Sequence, residues 1–260
     1  MSITLSWLGS SMEILSYGGI DACRSGWIMT VMHKKSNQFM YRFSPTFSGL
    51  VTNIKTKNES YRFLVDMPIG LLPLKNIGQV QPNQRSCDMQ ARKILGKRHS
   101  SIFSPPCLQA LYEQTYSSAS TLNFTLTGKK ISKQSWNIFQ RIREVNEFLH
   151  QNHWARSLFF ESHPELAYQK LNNHTPLQYS KKTNDGILER LDILSRYHPE
   201  SHTFFSNITS DKTMKGKMQK DDVVDALVLS ILNSHRDDKL SNITEEYQED
   251  QMGLRMGIWW

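Results

Sequence analysis

The sequence has few cysteines and lacks the patterns that several common sites require. Its three cysteines, Cys23, Cys87 and Cys107, are odd in number and form no C-x-x-C pair. A disulfide framework and a zinc site are therefore not indicated, and we interpret the side chains as reduced thiols of a cytoplasmic protein. The absence of a P-loop and of a G-x-S-x-G motif excludes two widespread types of hydrolytic site.

Long hydrophobic runs are also lacking. No stretch approaches the roughly 20 apolar residues that a membrane-spanning helix needs. A secretory signal carries Lys or Arg before its apolar part, and residues 1–12 carry none there. We therefore expect no membrane association. These twelve residues are interpreted as an N-terminal extension, either disordered or structured, ahead of the first predicted strand.

Size and charge allow a globular protein with a polyanionic partner. The chain has 260 residues, of which 38% are hydrophobic, enough for one large domain or two small ones. We interpret residues 13–260 as a single domain. Its net charge of +7 favours nucleic acid as a partner, although a basic protein without such a partner would show the same balance.

The apolar patterns predict strands first and then a mixture of helices and strands. The predicted strands are Glu13–Asp21, Trp27–His33, Gln38–Phe43, Tyr61–Asp66 and Ser157–Glu161. The predicted helices are Gln84–Leu95 with Ser86 as its N-cap, Gln134–Leu149, Glu165–Leu171, Asp185–Arg196 and Asp222–Asn233. Ser100–Ser132 and Ser206–Lys220 are predicted to be loops, and Gly253–Trp260 an edge strand.

This order predicts an α/β fold of the RNase H-like type. The first three strands form an antiparallel meander, and the later strands return by parallel crossovers, whereas doubly wound folds alternate strand and helix from the start. Helices flank the mixed sheet. Residues 84–153 form a largely helical insertion.

Five acidic residues indicate a site at one edge of the sheet. Asp21, Asp66 and Glu161 each end a predicted strand, and strands disfavour Asp. Asp222 and Asp225 share one face of an otherwise apolar helix. Because clustered carboxylates repel each other and resist desolvation, a divalent cation would stabilise them. Such sites commonly catalyse phosphoryl transfer.

Each acidic residue also has a simpler structural interpretation. Asp21 could be a turn residue, and Asp66 an ordinary residue at a strand end. Asp222 could serve the first turn of its helix, and Asp225 could form a buried salt bridge. Glu161 is a candidate ligand or base.

Several basic residues are candidates for binding phosphate. The segment Arg85–His99 is rich in cations with only Asp88 opposing them, and Lys212–Lys220 leads directly into the acidic helix. Phosphate contact and a solvated helix with cations near its C-terminus fit equally well. The candidates are Arg24, Arg85, Arg92, Lys97, Arg98, His163 and Lys220.

Spaced motifs from Gly18 to Leu227 resemble a family known as domain of unknown function 429. The matching segments are GIDACRSGW, VDMPIGL, CDMQARKILGKRHSSIFSPP, ESHPE, KKTNDGILERL and DDVVDAL, with GLRMGIWW similar to the family's end. That family is described as predicted nucleases of the RNase H fold. The D-x-x-D at Asp222 and Asp225 is also similar to the C-terminal motif of Holliday-junction resolvases. By position, this resemblance implies metal binding by Asp21, Asp66, Asp222 and Asp225.

The first functional hypothesis is therefore a nuclease that uses two Mg²⁺ or Mn²⁺ ions. Asp21 would bridge the two ions, about 4 Å apart, and basic residues would neutralise the phosphates of DNA or RNA. A nucleotide phosphotransferase or ATPase of the same fold, and a non-catalytic scaffold that binds nucleic acid or protein, are the alternatives. Since resolvases act as dimers, the resemblance also leaves a homodimer open.

Overall fold

A five-stranded mixed sheet organises the chain. The computed structural model describes residues 16–52, 54, 60–73, 82–235 and 240–260. The predicted N-terminal extension and the first residues of the predicted first strand lie outside these ranges. The strands of the sheet are β1 (Ser16–Cys23), β2 (Gly26–His33), β3 (Gln38–Ser44), β4 (Tyr61–Val65) and β5 (Phe159–Glu161).

The strand order is β3-β2-β1-β4-β5. Strands β1, β2 and β3 pair antiparallel, whereas β4 pairs parallel with β1 and β5 pairs parallel with β4. The predicted meander followed by parallel strands is thus confirmed. In register, Ile20 lies opposite Val65, and Val65 lies opposite Glu161. The carboxyl ends of three strands therefore meet at one edge of the sheet.

Helices cover both faces of this sheet. They are α1 (Phe47–Leu50), α2 (Ser86–Leu95), α3 (Leu108–Leu111), α4 (Tyr116–Thr127), α5 (Lys133–Asn137), α6 (Phe139–Gln151), α7 (Pro164–Leu171), α8 (Asn184–Ser195), α9 (Ser201–Ser210) and α10 (Lys220–His235). A short pair, β6 (Gln248–Glu249) and β7 (Arg255–Met256), lies apart from the sheet. Among the described helices, none is long and apolar enough to cross a membrane.

Alternate residues of β4 supply the two hydrophobic cores. Phe63 and Val65 are fully buried against α1 and α6, in a core that includes Phe47 and Ile142. Leu64 points the other way and packs with α7 and α10. This period of two is the pattern of a strand buried on both faces, and it explains why YRFLV is almost continuously apolar.

Helix α10 lies directly on β1, and glycine makes this approach possible. A Cβ atom added to Gly19 would stand 2.1 Å from the Ala226 carbonyl oxygen and 2.4 Å from the Ser230 backbone nitrogen. The hydroxyl of Thr30, on β2, donates to the Ala226 carbonyl at 3.0 Å. The helix is buried along most of its length, as its apolar sequence predicts.

The prediction of a loop at Ser100–Ser132 was wrong, because α3 and α4 lie within it. The hydroxyl of Thr115 caps α4 by accepting from the Ser118 backbone nitrogen, and Gly128 ends the helix in the left-handed region at φ 70°. Only Ala119 and Asn123 of this Ser- and Thr-rich helix are buried. Without an apolar stripe, the sequence gives no helical period to detect.

Other predicted boundaries also need correction. The predicted helix Gln134–Leu149 is two helices, α5 and α6, that meet at Ile138. The first part of the predicted loop Ser206–Lys220 belongs to α9. Ser86 is the first residue of α2 rather than its cap, and β7 pairs with β6 rather than with the main sheet.

The close approach of α10 predicts that Gly19→Ala destabilises the protein strongly. The new methyl group would meet helix backbone, which cannot rotate away, so we expect a loss of at least about 3 kcal/mol in the free energy of unfolding. The matched control is Gly128→Ala, where no atom lies within 4 Å and only the left-handed backbone is penalised, at about 1 kcal/mol. Urea denaturation measures both, and equal losses would contradict the packing argument.

Candidate metal centre

Three carboxylates converge at the edge of the sheet where β1 and β4 end. Asp21 lies near the end of β1, Asp66 directly follows β4, and Asp225 lies in α10, which packs across β1. One carboxylate oxygen from each of the three lies within 4.8 Å of the others. The parallel register of β1 and β4 and the close packing of α10 together produce this arrangement.

These carboxylates stand in an environment that disfavours their charge. Asp225 is 1% exposed and Asp21 is 6% exposed, while Asp66 is half-buried. Burial raises the pKa of Asp21 well above its usual value, and the charges of Asp66, Asp225 and Asp222 raise it further. Burial likewise raises the pKa of Asp66 and that of Asp225 to about 6. A positive charge placed among these oxygens would therefore stabilise the ionised carboxylates.

The donor set fits a divalent cation. Mg²⁺ and Mn²⁺ prefer carboxylate oxygens. The Oδ1 atom of Asp225 is buried and has no hydrogen-bond partner among the described residues, although buried polar atoms are nearly always satisfied. Asp21, Asp66 and Asp225 could hold such an ion.

Asp222, the fourth predicted ligand, lies beside this group rather than within it. Its Oδ2 atom accepts a hydrogen bond from the Gln219 backbone nitrogen at 2.7 Å, as an acid at a helix start does. Burial is the largest cause that raises the pKa of Asp222 to about 6, and Asp221 and Asp225 add to it. Asp222 also contributes to the raised pKa of Asp21, so its charge acts on the cluster.

Lys181 belongs to the site, and the sequence analysis did not assign it a role. Its Nζ atom forms an ion pair with Asp225 Oδ2. Burial works to lower the pKa of the Lys181 ammonium, but Asp225, Asp21 and Asp66 together raise it above its usual value. Lys181 is the first residue of the motif KKTNDGILERL, but it lies neither in an apolar pattern nor at the end of a predicted strand, so no sequence signal indicated a role in the site.

A cleft of about 760 Å³ opens onto this cluster. Asp21, Asp66 and Lys181 line one part of it. The cleft is also lined by the segment after α2, by the beginning of α7 and by helix α5. Lining residues from these parts include Ser101, Phe103, Gln134, Asn137, His163 and Glu165. Its volume suits a nucleotide-sized group.

Glu161 is not brought into the carboxylate group, despite lying at the same edge of the sheet. Both of its oxygens face the guanidinium of Arg85, at 2.6 and 2.8 Å, and one also accepts from the Ile69 backbone nitrogen. Arg85 binds Asp88 as well, and all three side chains are buried. The candidate phosphate ligand Arg85 and the candidate base Glu161 therefore satisfy each other inside the protein.

The remaining phosphate candidates fall into two groups. Arg98 lines the cleft, but it bonds Glu165 and the Leu177 carbonyl, and Arg92 bonds the Ile102 carbonyl. The exposed candidates are Arg24, Lys97 and Lys220.

His163 also faces the cleft, and burial lowers its pKa to about 4. Its Nε2 atom lies 3.4 Å from the Ser101 carbonyl oxygen, and its buried Nδ1 atom has no partner. A neutral imidazole can hydrogen-bond a phosphate or a water, but it does not neutralise a phosphate.

The sequence matches DUF429, a family of proteins of unknown function, over residues 19–246. The chain belongs to this family. The match includes all three carboxylates of the cluster and Lys181. Searches of curated proteins and of solved structures found no match. The function of this DUF429 protein must therefore be argued from the site itself.

The buried ion network predicts a structural role for Glu161. We expect Glu161→Gln to lower the free energy of unfolding by about 3 kcal/mol, because it leaves a buried guanidinium without its full counter-charge. Mn²⁺ binding should be unchanged. Asp192→Asn is the control, since Asp192 pairs with His202 in solvent and should change stability by less than about 0.5 kcal/mol. Thermal unfolding and Mn²⁺ titration measure these effects; loss of Mn²⁺ binding in a folded Glu161→Gln protein would instead make Glu161 part of the site.

Proposed function

We propose that this DUF429 protein is a metal-dependent nuclease that hydrolyses phosphodiester bonds in nucleic acid. The convergence of Asp21, Asp66 and Asp225 within 4.8 Å, with one buried oxygen unpartnered, is the observation that carries the proposal. Structural carboxylates are normally paired with a cation or with donors, as Glu161 is. Within the described part of the chain, the one ion pair of these three carboxylates is that of Asp225 with Lys181.

The topology supports an RNase H-like fold as part of the same proposal. The sheet has the order β3-β2-β1-β4-β5, and its antiparallel meander with two parallel strands is the arrangement that the sequence predicts. The acidic residues stand on the central strand, on its parallel neighbour and on the final long helix. Because unrelated activities share folds, the carboxylates rather than the topology support the activity.

The chemistry is hydrolysis at phosphorus. A Mg²⁺ or Mn²⁺ ion bound by the carboxylates supplies positive charge and acidifies water. A water oxygen forms the new bond to phosphorus, and the ester bond breaks with its electron pair on the leaving oxygen. The leaving oxygen takes up a proton, and the water loses one. Asp21, Asp66 and Asp225 would hold the ion, and through it they would orient the phosphate relative to the attacking water.

Charge and shape favour a polymeric substrate. The net charge of +7 raises the local concentration of polyanions. The exposed cations Arg24 and Lys220 lie on the β1–β2 turn and at the start of α10, the two elements that carry Asp21 and Asp225. On this proposal, they would contact phosphates that flank the cleaved one.

The proposal predicts that Asp225→Asn loses both Mn²⁺ binding and cleavage. Removing one charge and one ligand oxygen should abolish stoichiometric Mn²⁺ binding in calorimetry. We expect Mn²⁺ to raise the melting temperature of the wild type but not that of Asp225→Asn. Asp221→Asn is the matched control, because Asp221 lies in the same helix but pairs with Lys182. It should keep both properties.

Cleavage is then assayed with single-stranded, duplex and branched DNA and RNA. Metal-dependent cleavage that persists in Asp225→Asn would contradict the proposal. Tight ATP binding without nucleic-acid cleavage would favour a phosphotransferase, and no metal binding in the wild type would favour a non-catalytic scaffold.

A further inference from the structure

Resting on the proposed function, we propose that the site holds one divalent ion rather than two, and that Lys181 is a catalytic residue. Its ammonium would occupy the place of the second positive charge and bind the phosphate. The arrangement around Asp225 carries this inference. Its Oδ2 atom is paired with Lys181, and its buried Oδ1 atom has no hydrogen-bond partner among the described residues.

Lys181 already supplies one positive charge to the converging groups. With all three carboxylates ionised, these groups and the Lys181 ammonium would carry a net charge of −2, which one divalent cation would neutralise, while Asp222 lies beside them rather than among them. A second divalent ion would have to compete with Lys181 for the buried carboxylate of Asp225.

Lys181 is held in place by a loop fixed on both sides. The backbone nitrogens of Gln178 and Tyr179 donate to the Glu189 carboxylate at 2.7 and 3.0 Å. The guanidinium of Arg98 donates to the carbonyls of Leu177 and Tyr179 at 2.7 and 3.1 Å. The conformation of this loop is therefore set by contacts that do not involve the ion pair itself.

The end of the same loop is closed against helix α8. Thr183 caps the helix by accepting from the Gly186 backbone nitrogen, and its hydroxyl donates to the Ser180 carbonyl at 2.9 Å. A Cβ atom at Gly186 would stand 1.9 Å from the Ser180 carbonyl oxygen. Such preorganisation directs Lys181 toward the cluster before any substrate binds.

The neighbouring Lys182 is the same residue type, but its position gives it different partners from those of Lys181. Its Nζ atom pairs with Asp221 at 2.6 Å and bonds Gln219 at 3.0 Å. Its side chain is 61% exposed, against 37% for Lys181. Lys181 lines the same cleft as Asp21 and Asp66, and Lys182 does not line it.

In the reaction, the Lys181 ammonium donates a hydrogen bond to a non-bridging phosphate oxygen. As water adds to phosphorus and the ester bond breaks, negative charge on this oxygen grows, so the interaction is strongest in the transition state. The ammonium stays protonated throughout. The proton that the leaving oxygen takes up comes from solvent.

The test is Mn²⁺ calorimetry on the wild type, Lys181→Met and Lys182→Met, followed by cleavage kinetics. We expect one Mn²⁺ per wild-type chain and per Lys182→Met chain. Lys181→Met should bind two, because Asp225 Oδ2 becomes available and the cluster gains net negative charge. Its kcat should fall by about 100-fold or more, as for the loss of one preorganised donor to an oxyanion.

Two Mn²⁺ ions in the wild type would overturn the inference and leave the nuclease proposal standing. One ion in both wild type and Lys181→Met would overturn the role of Lys181 as a substitute for the second ion, even if cleavage fell. Unchanged kcat in Lys181→Met would also overturn it. No Mn²⁺ binding by any variant would defeat the proposed function itself. If Lys181→Met does not fold, Lys181→Ala also removes the ammonium and leaves Asp225 Oδ2 available, and it is judged by the same outcomes.

Discussion

The packing of α10 against β1 is the constraint on which the site depends. Gly19 leaves no side chain between the strand and the helix backbone, so Ala226 and Ser230 approach β1 closely. Asp225 precedes Ala226 and is thereby carried to the end of β1, beside Asp21. A side chain at position 19 would force the helix away from the strand and separate the two carboxylates. The geometry of the carboxylate cluster is therefore a consequence of backbone packing.

Electrostatics determines how the packed acids differ from one another. Glu161 and Asp66 both stand at the carboxyl ends of parallel strands, but Glu161 meets the buried guanidinium of Arg85. Its charge is therefore compensated within the protein. Asp66 instead faces Asp21 and Asp225. Burial raises the pKa of all four carboxyl groups, that of Glu161 to about 7, so they differ in their partners and not in the direction of the pKa shift. The first arrangement stabilises the fold, whereas the second favours binding of a cation.

Membership of DUF429 gives the chain relatives but no activity, so the assignment depends on the chemistry of the site. The carboxylates, the unpartnered Asp225 Oδ1 and the fixed position of Lys181 are separate observations. Asp21, Asp66 and Lys181 line the same cleft, and Asp225 is paired with Lys181. A buried acidic cluster that already contains one cationic side chain indicates the charge of its ligand more closely than acids alone, because the internal cation limits how much additional positive charge the site can accept.

The sequence was enough to predict the five strands of the main sheet, the meander followed by parallel strands, and the three acids that converge, because apolar period and strand-end acids are local signals. It did not reveal α4, whose Ser- and Thr-rich surface has no apolar stripe, or the ion pair of Lys181 with Asp225, because Lys181 lies on a loop. Nor could it separate Glu161 from Asp66, since both end a strand with an acid. These points depend on contacts between distant parts of the chain. The neighbour of a charged side chain comes from a distant part of the chain, and that neighbour determines whether the charge is compensated or available.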